Sequence, residues 1–516
     1  MRRPGRVLLA LLGLMLVACG SADTSPTPST AGPPRSAPEA ATGTPLPTAT
    51  PQPTPEPEIE VPLAVVTGFT NLRTEITADE VETARERGSI VEACEVFPQG
   101  GAPAACMPAA EVADHLVANP GQLALLPAGL VEPRIKALTV DRANLFGSAD
   151  QRERPWPFTA RGAFPAAWTH DPAEIRTLMS VGESCPDRGV AHQAITQGRG
   201  WEWVFGGGRA RYTAIYPNPV PAGHVGNGFN IVDAVPSGDE GAVWRIIGSA
   251  DVTVEDFECP VVDDWTVNEG VVFSIDPRVL GHMKRGGTDV VTLAANHLFD
   301  RGEAGFLQTL EHFDTAGILR TGAGADLDEA LSPAVFDAGG LRFAVVGWNL
   351  VPGSVAAEPG VPGVAWMTEE NIRGAVARAR DAGDVVVCMP QWGYPEYRVE
   401  FTAEEVALQQ LMLDAGCDHI LGHGTHWASQ IDFTRGEDGR IHLTVLSHGN
   451  FLFGQEWSQQ TQEGMLVELA FRGAELVQVR LHPYIMLEQA QANLTDPQTD
   501  GSHLLNRVFA ASDESY

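Results

Sequence analysis

The stretch GTDVVTLAANHLFDRG, residues 287–302, decides how the rest of the chain is read. Residues 289–294 form a near-continuous apolar run, the composition of a strand covered on both faces. It stops at Asn296-His297, two side chains able to ligate and hydrogen-bond. Phe306, Leu310 and Phe313 then recur at helical spacing until Gly317 ends the pattern. A buried strand, a polar loop and an amphipathic helix make one βα unit.

The unit repeats downstream. Residues 341–348 read as a strand. Ile372, Ala375, Val376 and Ala379 share one helical face, stopped by Gly383, and residues 384–389 are a further strand. Thr402 and Glu405 form a capping box in front of Leu408, Leu411, Met412 and Ala415, which Gly416 closes. Residues 418–422 and 441–447 are strands, and 465–471 with 476–481, joined through Arg472-Gly473, are a hairpin. Upstream, Trp201–Phe205 running into Gly206-Gly207-Gly208 is taken as the first strand of the set. Alternating strands and helices finished by antiparallel strands place the chain in the α/β class.

Before residue 201 the chain changes character three times. Arg2, Arg3 and Arg6 precede an apolar run over 7–18 and then Cys19, the layout of a secretory leader over residues 1–18. The run is too short to span a bilayer, which takes about 20 apolar residues. Leu16-Val17-Ala18-Cys19 resembles the bacterial lipobox, which implies cleavage before Cys19, acylation of its thiol and an extracytoplasmic, lipid-anchored chain. Residues 19–60 form a Pro/Thr-rich tether, with 11 prolines between 21 and 60; such a segment buries too little apolar surface to offset its ordering entropy. Residues 61–160 read as a small α/β domain, with a strand at 62–66, a Thr77/Glu80 capping box, a helix at 111–118 and strands at 123–126 and 135–140. Its phrase around 109–141 is similar to part of a periplasmic phosphate-type solute-binding domain; a plain structural spacer is the equal alternative. Residues 161–200 are read as a connecting segment, 201–485 as the main domain and 486–516 as a C-terminal tail.

The formal net charge is −32, from 34 Lys and Arg against 66 Asp and Glu. So acidic a body is repelled by nucleic acid and by anionic headgroups, which excludes nucleic acid as a partner. Six cysteines remain beside Cys19, and an even number in an exported chain permits disulfides. Cys94 with Cys106 is the leading pair, and Cys388 with Cys417, on neighbouring strands, is a second. The absence of CxxC argues against a cysteine zinc site.

Four phrases fall where strands end, the place where open α/β sheets build their sites. They are residues 254–258 (VEDFE), 295–302 (AANHLFDRG without its first Ala), 422–426 (GHGTH) and 447–451 (SHGNF). Carboxylates, amides and imidazoles converging there suit a divalent ion such as Mn²⁺, Fe or Zn²⁺. These phrases, in this order over residues 200–455, resemble the CapA, or poly-γ-glutamate capsule synthesis, family. That resemblance implies a four-layer αββα metallophosphatase-like sandwich with a two-metal site. Carried over by motif, Glu258, Asn296, His423 and His426 are the implied metal ligands. His297 is the implied catalytic residue facing the substrate, Asp300 the residue that orients it, and Asn450 part of the floor.

The departures from the family pattern matter as much. No carboxylate occurs near Gly207, where a Gly-Asp motif is sought after the first strand, and a His-Trp-Gly motif stands here as Gln391-Trp392-Gly393. Asp256 and His448 are candidate compensating ligands. Any one of these histidines alone is more often a hydrogen-bonded structural residue; their joint occurrence makes the site. Two readings follow. One is a metal-dependent hydrolase or transferase of the cell envelope, acting on a small molecule or an acidic polymer. The other is a catalytically degenerate relative, holding one ion or none, that binds a ligand or serves as an envelope scaffold.

Overall fold

The computed structural model describes residues 58–97, 106–224 and 226–512. Cys19, the leader and nearly all of the tether lie outside the described residues. Among the described residues no helix is long and apolar enough to cross a membrane.

The N-terminal unit contains β1 (Ile59–Gly68), α1 (Ala78–Glu86), β2 (Ile90–Glu92), α2 (Val112–Ala118), β3 (Leu123–Pro127), β4 (Ile135–Ala137) and β5 (Thr159–Gly162). Its sheet runs β2-β3-β1-β4, with β5 paired to the start of β1. The Thr77/Glu80 capping box opens α1 as the sequence suggests. This unit does not stand apart. Ile175, Ala470 and Val477 of the main body join its core, and the Arg472 guanidinium donates to the carbonyls of Ala128 and Gly129.

The main body continues with β6 (Ile175–Cys185), α3 (Trp201–Val204), β7 (Arg209–Pro217), β8 (Asn230–Gly238), α4 (Ala242–Ile247), β9 (Val252–Phe257), α5 (Arg278–Gly286), β10 (Val290–Thr292), α6 (Gly302–Ala316) and β11 (Leu319–Thr321). Then come β12 (Ala334–Ala338), β13 (Leu341–Asn349), α7 (Glu369–Ala382), β14 (Val385–Gln391), α8 (Ala403–Ala415), β15 (His419–Leu421), β16 (Ile431–Arg435) and β17 (Ile441–Val445). β18 (Asn450–Phe453), β19 (Glu463–Arg472), β20 (Glu475–Leu487), β21 (Gln491–Leu494) and α9 (Ser502–Ala511) complete it.

Two sheets result. The larger runs β8-β7-β21-β20-β19-β6-β9-β10-β11, with β18 also on β6; the smaller runs β12-β13-β14-β15-β17-β16. Within them β6, β9, β10 and β11 are parallel, as are β13, β14, β15 and β17. Val252, Val254 and Val290 of one sheet meet Phe343, Val387 and Leu421 of the other in a dry layer between them. The far face of the larger sheet is covered by α4, α5 and α6 through Ile247, Met283 and Phe313. The far face of the smaller is covered by α7 and α8 through Ile372, Val376 and Met412. Helix, sheet, sheet, helix is the four-layer order that the sequence led us to expect. The stops at Gly317 and Gly416 are residues in the left-handed conformation that close α6 and α8.

Two boundaries differ from the sequence reading. Trp201–Val204 is a short helix, with the Trp201 indole donating to Asp276 inside the helical layer. The first strand of the set is β6, inside the segment taken for a connector. Its row of apolar residues is interrupted by Thr177, Ser180 and Gly182, which blurs the pattern. The supposed tail is also structured: β21 joins the large sheet, and Leu504, Leu505, Val508 and Phe509 of α9 are buried against the inter-sheet layer.

The three disulfides are Cys94–Cys106, Cys388–Cys417 and Cys185–Cys259. The first two are the pairs suggested by sequence. The third joins the ends of β6 and β9.

Candidate metal centre

Parallel strands of both sheets end at one rim, and every polar phrase of the sequence analysis is delivered there. β6 brings Glu183, and the turn after β9 brings Glu258. The loop after β10 carries Asn296 and His297, and β14 ends on Gln391. The turns after β15 and β17 carry His423, His426 and His448. A strand end is where the last side chain can leave the ladder and face an open rim without breaking it.

Glu183, Glu258 and His426 are buried, and each offers a ligand atom within 4.8 Å of the other two. Glu183 Oε1 accepts from the Gly424 amide at 2.7 Å and from the Ser447 hydroxyl at 2.9 Å. Its Oε2 lies 2.6 Å from His426 Nδ1 but makes no aligned hydrogen bond. The same His426 Nδ1 lies 2.9 Å from Asn450 Oδ1, a residue the sequence reading placed on the floor of the site. His426 has φ +59°, a left-handed backbone that a non-glycine residue adopts at a cost of about 1 kcal/mol or more. The turn accepts that strain and thereby aims the ring at Glu183.

The electrostatics of the rim centre on the Glu183–His426 pair. Burial works to raise the Glu183 carboxyl, but the charge of the adjacent His426 ring, with His423 beyond, brings it down to about 2. Burial likewise disfavours the His426 cation, yet Glu183 and Glu258 outweigh it and hold the ring at about 10. Asp256, beside Glu183 on the next strand, is pushed well up by burial and by the charges of Glu258 and Glu183. Glu183 Oε2, Glu258 Oε2, both oxygens of Asp256, both ring nitrogens of His423 and Nε2 of His448 are buried with no hydrogen bond. Buried polar atoms nearly always have a partner, so this many orphans in one place fit a divalent ion held by carboxylate and imidazole. Asp256 and His448 lie beside the three-residue group and not in it. His448 stacks on His423 with ring centroids 4.9 Å apart and is tied through Nδ1 to the Gly422 carbonyl.

Gln391 does something different. Its Nε2 donates to Glu258 Oε1 at 2.5 Å and to Asn296 Oδ1 at 3.0 Å, and its Oε1 accepts the Asn296 amide at 3.2 Å. One amide thus ties Glu258 and Asn296 together, each through one oxygen.

His297 sits at the open side of the group. Its Nδ1 is 3.0 Å from Asp300 Oδ2, which also accepts the Phe273 amide, and its ring meets Phe273 edge-on. Burial lowers the ring's affinity for a proton, but the Asp300 hydrogen bond and the charge of Glu258 outweigh it, leaving the pKa raised. The sequence reading placed Asp300 as the residue that orients His297, and the geometry has that form.

The family model for the bacterial capsule synthesis protein PGA_cap matches residues 177–455, more than half of the chain. The chain belongs to the PGA_cap family. The capsule biosynthesis protein CapA of Bacillus anthracis is 28% identical over 235 residues, covering 43% of this chain and 55% of that protein. The PGA biosynthesis protein CapA of Bacillus subtilis (strain 168) is 31% identical over 181 residues, covering 35% of this chain and 46% of that one. The chain therefore spans about half the length of the curated relatives it matches. Among solved structures, the calcineurin-like phosphoesterase YfkN from Bacillus subtilis aligns at TM-score 0.33 with 11% identity over 65% of this chain and 98% of that one. The NAD nucleotidase NadN of Haemophilus influenzae aligns at TM-score 0.34 with 11% identity over 62% of this chain and 53% of that one.

The PGA_cap match begins at residue 177, on β6, and this relocates the carboxylate sought near Gly207. Gly182-Glu183 occupies the end of the first strand, with glutamate where an aspartate was looked for. Gly206, Gly207 and Gly208 belong to a close approach instead: a Cβ on Gly207 would stand 1.8 Å from the Ala492 carbonyl oxygen of β21. Sequence reasoning also passed over Arg188. Its guanidinium lies 4.6 Å over the Phe273 ring and 5.9 Å from that of Phe453, the two rings that touch His297 and His426. It donates to the Gly270 carbonyl and pairs with no carboxylate among the described residues. The signal for Glu183 was present as a Gly-acid pair closing an apolar segment; none existed for Arg188.

Proposed function

We propose that this chain is a metal-dependent hydrolase of the cell envelope, working with one divalent ion on an anionic substrate tied to capsule or polyglutamate metabolism. The observation that supports this reading best is the convergence of Glu183, Glu258 and His426 on one point, with His297 and Asp300 beside it. These three side chains would hold the ion, with His423 a candidate further donor; Mn²⁺, Fe and Zn²⁺ all suit that donor set. When bound, such an ion polarises a substrate oxygen and makes water a better nucleophile.

The chain's own residues supply the rest. Arg188, in no ion pair among the described residues, would hold an acidic group of the substrate at the rim, offsetting the repulsion of so negative a body. His297, its proton affinity raised by the Asp300 hydrogen bond, would donate a proton to the leaving oxygen or steady its charge. The relatives' names connect the family to capsule and poly-γ-glutamate biosynthesis, and an acidic polymer or a small anionic molecule of the envelope is the substrate class we propose. Lipid anchoring through Cys19 would hold the enzyme there; Cys19→Ser should move the chain from the membrane to the soluble fraction.

A second reading is favoured by the Gln391 amide: the pocket binds an ion or ligand without turnover. Elemental analysis of the purified full-length chain after dialysis against Mn²⁺ or Zn²⁺ separates the two, together with turnover of a chromogenic phosphodiester. The hydrolase reading expects about one ion per chain and turnover lost in His297→Ala. No bound ion, or an ion with no turnover on any ester tried, supports the binding reading.

A further inference from the structure

A second enclosed space lies away from the strand-end rim, where the N-terminal unit docks on β20 and α9. It is a cavity of about 210 Å³. Leu72, Ile246 and Phe509 give it apolar walls, and Lys136, Arg480 and Thr495 reach it from three separate elements. Lys136 and Arg480 are 6% and 8% exposed, and Thr495 is 3% exposed. No described carboxylate forms an ion pair with either cation. The Lys136 ammonium donates to the Asn71 carbonyl. Arg480 Nη2 donates to the Ala137 carbonyl at 3.2 Å and to Thr139 Oγ1 at 3.0 Å. Arg480 Nε and Thr495 Oγ1 are buried with no hydrogen bond at all.

Two buried cations side by side, neither in an ion pair among the described residues, are costly, because burial and mutual repulsion act together. They do act on Lys136: burial first, and the neighbouring Arg480 second, push its ammonium down to about 7. Glu75 lines the space without an ion pair to either cation among the described residues, and Glu468, whose charge reaches Arg480, is hydrogen-bonded to His482 at 2.7 Å. An inorganic ion would leave most of such a space empty and its apolar walls uncovered. The volume falls below the range typical of drug-sized ligands.

We propose that this cavity binds a small organic acid, its carboxylate held by Lys136, Arg480 and Thr495 and its apolar body packed on Leu72, Ile246 and Phe509. Calorimetric titration of the purified full-length chain with hexanoate, with benzoate and with inorganic phosphate tests it. One of the two acids is expected to bind one-to-one. Arg480→Met and Lys136→Met should each weaken that binding by about tenfold or more, the cost of losing a charged hydrogen bond. Thr495→Val removes one hydroxyl and no charge, and should weaken binding by about threefold while melting like the parent. If either cation variant fails to fold, the threonine variant decides. Absence of binding by both acids, tighter binding of phosphate than of either acid, or unchanged affinity in Arg480→Met or Thr495→Val would overturn the assignment.

Discussion

At the scale of single residues, the chemistry of the rim turns on one amide. Gln391 gives its protons to Glu258 and Asn296, where an imidazole would leave both free for a cation. Gln391→His is therefore expected to raise the metal content measured by elemental analysis from about one ion per chain towards two. Glu183→Gln removes the charge that balances His426 and should weaken ion binding by about tenfold or more, measured by competition with a chelating dye. A third expectation concerns acid. His419 is buried, and its Nδ1 accepts the Leu443 amide at 3.1 Å, so the ring is neutral in the fold; burial holds its pKa at about 3. The folded ring takes up a proton less readily than the unfolded one. The stability this group contributes is thus whole above pH 6.5 and is lost as pH falls towards 3. The slope is about 1.4 kcal/mol per pH unit. Urea unfolding at pH 7 and pH 5 should show His419→Gln losing about 2 kcal/mol less than the parent, while the losses owed to other buried histidines remain. Most of these residues were legible: Glu258, Asn296, His297, His423 and His426 all follow strand-like runs, and strand ends are where such groups gather. Glu183 was not, because its strand is broken by Ser180 and Gly182 and carries glutamate in place of the aspartate sought.

At the scale of elements, the reading succeeded where periodicity was uninterrupted. α7 buries the face that its sequence marks, α8 buries Met412 with Leu408, Leu411 and Ala415 only half-buried, and the Thr402/Glu405 capping box opens α8. It failed at Trp201–Val204, where two tryptophans and a valine suggest a strand but only five residues separate Gly200 from the Gly206–Gly208 run. Short apolar stretches do not distinguish helix from strand by composition. β6 is the element on which the rim depends most. Gly182 lets β18 come close: a Cβ there would stand 2.2 Å from the Gly449 carbonyl oxygen and 2.8 Å from the Tyr484 hydroxyl. Gly182→Ala should cost about 1–3 kcal/mol in urea unfolding and lower ion affinity, because Glu183 moves with its strand.

At the scale of the whole molecule, the fold is one body in which the N-terminal unit, the sandwich and α9 share buried surface. The sequence marked these as separate pieces because joints between elements leave no periodic trace. The Cys185–Cys259 bond belongs to this scale as well, closing a loop between positions 74 apart in the sequence. Replacing both cysteines with alanine should lower stability by about 4 kcal/mol on the loop-entropy account, seen as a lower urea midpoint. The bond sits two residues beyond Glu183 and one beyond Glu258, so it clamps together the two carboxylate-bearing ends. A practical corollary concerns handling. Dithiothreitol in a storage buffer would cut this clamp and let the paired acids drift apart. Batches prepared with and without reductant should then disagree about how much ion the same polypeptide retains.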